Sequence, residues 1–156
     1  MTVRHIYVSP EHNFFGHHGK PPGKAPCESV PSAELVAGKG IVGDRFFGYK
    51  DDYKGQVTFF SLETYQRLCD TFTVHDKDPS VFRRNIVVEG ADLPSLIGER
   101  FQVGDITFEG ICESSPCYWM EQAFCEGAEE ALKGHGGLRA KVLTSGTLNT
   151  GDASPA

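Results

Sequence analysis

Cys117 is the residue in this chain best placed to do chemistry. It follows Pro116 and directly precedes Tyr118 to Lys133, where Met120, Phe124, Ala128, Ala131 and Leu132 recur at helical spacing. A thiol just ahead of a helix faces unpaired backbone N–H groups and the positive end of the dipole, and both favour the thiolate. Such a sulfur can act as a nucleophile, carry a persulfide or ligate a soft metal, or it can be a small buried hydrophobe. The other cysteines read differently. Cys27 sits behind Pro26 in a loop, Cys69 falls on the apolar face of a helix, and Cys112 ends a strand. The pattern Cys112-x4-Cys117-x7-Cys125 lacks the paired short spacings of a structural zinc site.

Cations form the second group of interest. Arg45 follows the turn Gly40-Ile41-Val42-Gly43-Asp44, Arg83-Arg84-Asn85 lead into a strand, and Arg139 and Lys141 alternate with Leu138, Ala140 and Val142. That alternation points Arg139 and Lys141 to one face of a strand. If these segments converge beside Cys117, Arg45, Arg84, Asn85, Arg139 and Lys141 make a pocket for phosphate or another oxyanion. If they do not, they are scattered surface charge. Asp44 would oppose an anion, so its carboxylate is expected to point away or to pair with a cation. His12-x4-His17-His18 has residue types that bind metals or shuttle protons, while His135 reads as a residue of a flexible glycine turn.

The elements that must position these residues are short and mostly β-prone. Strands are expected over Val3 to Val8, Ser29 to Ala37 (confined by Pro31 to an edge or a strand start), Gln56 to Phe60 and Asn85 to Glu89. Arg100 to Val103 and Ile106 to Ile111 flank a Gly104-Asp105 hairpin turn, and Leu138 to Thr144 with Thr147 to Asn149 reads as a final hairpin. Ser61 caps a helix to about Phe72, Asp78-Pro79 starts a short turn, and Tyr118 to Lys133 gives a second helix ended by Gly134. Residues 9–26, dense in Gly, Pro and His, read as a long surface loop. The pattern predicts a mainly β fold, a closed or nearly closed barrel with two peripheral helices, which removes exposed strand edges.

At 156 residues the chain suits a single domain with its own core. Its formal charge of −6 argues against nucleic-acid binding, and no apolar run reaches the length of a membrane span. Five irregularly spaced cysteines, with no apolar leader in Met1 to His12, predict a reduced, cytoplasmic protein.

Four segments in order resemble the MOSC domain, the C-terminal domain of molybdenum-cofactor sulfurases. They are Gly40-Ile41-Val42-Gly43-Asp44-Arg45, Arg84-Asn85-Ile86-Val87-Val88-Glu89-Gly90, Pro116-Cys117-Tyr118-Trp119-Met120, and Gly137-Leu138-Arg139-Ala140-Lys141-Val142-Leu143 with the closing Gly151-Asp152. The resemblance runs from about Cys27 to Asp152 and is to the short stand-alone members. It implies a β-barrel-like fold and a role in molybdenum cofactor or sulfur handling, with Cys117 carrying sulfane sulfur or ligating molybdenum. Pyridoxal phosphate is associated with the fused sulfurases, whose separate aminotransferase-like domain this chain is too short to contain. Three readings stay open. One is a sulfurtransferase or a molybdenum-cofactor-dependent reductase component; another is a non-catalytic carrier passing sulfur or cofactor between a donor and an acceptor protein; the third is a binding module with an inert cysteine.

Overall fold

The computed structural model describes residues 1–11 and 27–155. His12, His17 and His18, with most of the expected loop, lie outside them. The chain enters through β1 (Thr2–Val8) and continues through β2 (Glu28–Val30), β3 (Ser32–Val36) and β4 (Gly40–Ile41). It then runs through β5 (Val57–Ser61), α1 (Leu62–Phe72), β6 (Ile86–Glu89), β7 (Arg100–Val103) and β8 (Ile106–Glu113). Two short helices, α2 (Trp119–Ala123) and α3 (Ala128–Leu132), precede β9 (Leu138–Val142) and β10 (Gly146–Asn149).

Seven strands form one mixed sheet in the order β2-β1-β6-β5-β9-β8-β7, and three form a second, β10-β3-β4. Within the larger sheet β5 and β6 run parallel and the other pairs are antiparallel. The expected barrel does not close: among the described residues no pairing joins the terminal strands β2 and β7. Pro31 supplies the physical reason. It has no N–H to give a ladder, and at Pro31 the single strand expected over Ser29 to Ala37 breaks into β2, which pairs with β1, and β3, which pairs with β10. The expected final hairpin is likewise corrected, since β10 crosses to β3, with Thr147 opposite Glu34.

The core lies in two layers. Phe59, Ile86, Leu138, Ala140 and Val142 on one sheet face pack with Leu35, Ile41 and Leu148 of the smaller sheet. Phe60 and Val87 on the other face pack under the helices with Leu68, Phe82, Phe124 and Leu132. With core on both faces, β5 is buried without a break from Val57 to Phe60, where a one-sided strand would alternate. Helix α1 forms as read: the Ser61 hydroxyl accepts the Thr64 N–H, and Leu68 and Cys69 are buried. The second helix does not run unbroken. Gly127 takes φ of 93°, a conformation outside any right-handed helix, and splits it into α2 and α3. The Glu121 carboxylate then accepts the Ala128 N–H at 3.0 Å, capping the new helix start from the preceding one.

Candidate functional site

Arg45, Arg83, Arg84 and Arg139 converge on one cavity of about 120 Å³, room for much more than a single water. Phe46, Tyr53, Thr58 and Ser114 complete most of its wall. Four guanidinium groups around one cavity in a chain of formal charge −6 is a local inversion of the protein's overall charge. Each arginine reaches it by a different structural route.

Arg45 comes from the turn after β4. Asp44 there is buried, and its carboxylate accepts the N–H groups of Ser9 (3.0 Å) and Phe46 (3.2 Å). It also pairs with Arg45 at 3.2 Å, so this acid beside the site is neutralised, as its position requires. The Arg45 guanidinium lies 4.6 Å from the centre of the Phe46 ring, a cation–π contact that fixes its orientation. Arg83 ends the 3₁₀ turn Pro79–Phe82 in a left-handed conformation (φ 55°) and donates to the carbonyl of Glu11 at 2.9 Å. Burial, with Arg45 nearby, lowers its pKa.

Arg84 is a cross-link as much as a wall. Its guanidinium donates to the carbonyls of Gly136 (2.9 Å), Ser114 (3.0 Å), Phe82 (3.2 Å) and Ser115 (3.4 Å). Desolvation is the main cause that brings its pKa down to about 10, with Arg139 and Arg45 adding repulsion and Cys117 and Glu113 opposing it. It therefore stays charged at neutral pH. Gly136 is fitted to this arrangement, because a Cβ there would lie 2.3 Å from the Ser114 carbonyl oxygen.

Arg139 differs from the other three. It stands on β9 opposite Thr58 of β5, and its partly buried guanidinium has no hydrogen-bond or ion-pair partner among the described residues. A charge-bearing fork with five donors, facing a cavity and unmatched among the described residues, is the group most available to a ligand.

The remaining expected site residues take other places. Asn85 is 2% exposed and all of its side-chain capacity is engaged. Its oxygen accepts from the Thr58 N–H and hydroxyl, and its amide donates to the Tyr7 carbonyl and the Asp44 carboxylate. Asn85 thus positions Thr58 and Asp44 and touches no ligand space. Lys141 shares a strand face with Arg139 but pairs with Asp52 at 2.6 Å and is not part of the cavity wall. Lys141→Met is accordingly expected to change oxyanion affinity by less than about twofold in a phosphate titration, since an exposed pair of this kind contributes little. Cys117 is exposed and lies outside the cavity lining, following the Ser114–Pro116 segment that Arg84 holds. Arg83 is the residue that sequence reasoning did not promote to the site. Only its place beside Arg84 signalled it.

The comparisons with known proteins come to the same fold. The family model of the MOSC domain matches residues 17–154. The YUAD protein from Bacillus subtilis superposes with a TM-score of 0.72 at 19% identity, over 97% of this chain and 93% of that one. YiiM from Geobacillus stearothermophilus gives 0.69 at 12% identity, over 99% of this chain and 75% of its own. YiiM from Escherichia coli gives 0.64 at 16% identity, over 100% and 70%. No curated protein sequence matches at a comparable level.

Proposed function

Since this chain belongs to the MOSC domain family, with its general association with molybdenum-cofactor biology, we propose that the arginine cavity holds the phosphate of that cofactor, or a related oxyanion, beside Cys117. The observation that carries this reading is Arg139, a partly buried guanidinium with no counter-charge among the described residues, facing a cavity already walled by Arg45, Arg83 and Arg84. A phosphate dianion suits that deficit in charge and in planar donor geometry. The exposed thiol of Cys117, next in chain to the segment gripped by Arg84, supplies the soft donor that molybdenum or sulfane sulfur requires. When bound, the cofactor brings molybdenum-centred redox and atom-transfer chemistry. The chain's own residues bind the anion, fix Arg45 through Phe46 and Asp44, and present the Cys117 sulfur at the surface.

A second observation suits a carrier role: the Cys117 thiol is exposed and lies outside the cavity lining. Cargo on Cys117 would be open to a partner protein acting as sulfur donor or acceptor.

Protein purified from a host that makes molybdenum cofactor should be analysed for metal and for cyanide-labile sulfane sulfur, beside Cys117→Ser. The variant is expected to lose at least about tenfold of the sulfur or metal while melting as the parent does, because Cys117 is exposed. Equal content in both proteins would remove Cys117 from the function.

A further inference from the structure

The strap Gly134–Gly137, which supplies the Gly136 carbonyl to Arg84, also borders a second cavity of about 150 Å³. Its character is the reverse of the first. Leu93 and Ile97 contribute apolar surface, while Asp92, Glu113, His135 and Ser61 bring polar atoms, and no lysine or arginine among the described residues lines it. The Asp92 carboxylate and the His135 ring have no side-chain partner among the described residues. Glu113 gives one oxygen, Oε2, to the Gly136 N–H at 3.1 Å, and its other oxygen is left without a partner among them. Ser61 uses its oxygen to accept the Thr64 N–H and keeps its hydroxyl proton for another acceptor.

We propose that this cavity is a binding site for a small organic cation, a primary ammonium or guanidinium on a short alkyl chain. The head sits between Asp92 and Glu113 and the chain lies against Leu93 and Ile97. Concave shape, apolar wall and a few convergent acceptors are what small-molecule sites share. Neither carboxylate is in an ion pair among the described residues, Arg84 acting on Glu113 only at longer range, so an incoming positive charge is attracted by both. An anion would meet that same pair as repulsion, which separates this site's ligand from that of the arginine cavity.

The probe is butylammonium, titrated into the full chain by NMR, with butanol and butyrate as neutral and anionic controls of the same length. Saturable binding of butylammonium alone, with shifts centred on residues 91–97 and 134–137, is expected. Asp92→Asn should weaken it roughly tenfold or more, the effect of losing one charge-assisted contact. Asp92 is exposed and its side chain has no hydrogen bond or ion pair among the described residues, so this variant is expected to fold as the parent does. Absence of binding, equal binding of butanol, shifts mapped elsewhere, or unchanged affinity in Asp92→Asn would each overturn the proposal, whatever the arginine cavity holds.

Discussion

Replacing Arg84 by methionine will destabilise the fold by about 2–4 kcal/mol, a loss set by backbone carbonyls left without donors. The guanidinium satisfies carbonyls from three separate stretches, at Phe82, at Ser114 and Ser115, and at Gly136. Methionine fills similar volume and carries no donor, so those oxygens must find water in a region where a methyl group at Gly136 would already clash. For a chain of this length each kcal/mol corresponds to roughly 2–4 °C, so a drop in melting temperature of about 5–15 °C is expected. Arg84→Lys should recover only part, because a point charge on a flexible stem cannot span a fork of carbonyls. Urea unfolding of the three proteins measures this directly. A loss below about 1 kcal/mol in Arg84→Met would show that the cross-link is incidental.

Arg139→Ala should do the opposite: leave stability nearly unchanged and cut oxyanion binding by about 10–100-fold, the equivalent of 1.5–3 kcal/mol for one charge-assisted contact. Its side chain has no ion pair or hydrogen bond to lose among the described residues, and the strand beneath it is held by Leu138, Ala140 and Val142, all 1% exposed or less. Arg139→Lys should restore part of the affinity by charge alone. Titrations with inorganic phosphate and with isolated molybdenum cofactor give the two readouts. Wild-type affinity in both variants would make these arginines surface charge and would undo the anion-site reading.

Features determined within a few residues were legible in the sequence. Ser61 capping a helix, Asp78-Pro79 opening a turn, and Gly104 (φ 57°) turning the hairpin between β7 and β8 each depend on local geometry alone. The four-motif resemblance likewise picked out the segments that carry Arg45, Arg84 and Arg139, and these segments do meet. What failed depended on partners distant in sequence. That β10 would choose β3 over the adjacent β9 is decided by which apolar faces meet, here Leu148 against Ala33, and no turn residue records it. Gly127 inside a helical pattern was a legible break that the surrounding periodicity concealed. Asn85 and Lys141 had the right chemistry for a ligand, and only tertiary structure reveals that Thr58, Asp44 and Asp52 already claim them.

The scattered origin of the arginine cavity sets a clock on its assembly. Arg45 is made early in the chain and Arg139 late, and the strand bearing Arg139 docks between β5 and β8, whose own residues are some fifty positions apart. The smaller sheet has the same dependence, since β3 has no long partner until β10 has emerged. Pairings between such remote segments form slowly and late, after the local hairpin and helix. During synthesis the early arginines therefore exist without the cavity that Arg139 completes. On the anion-site reading, loading waits until β9 has joined the sheet, so a supply of ligand during translation would give the folding chain no help in building this site.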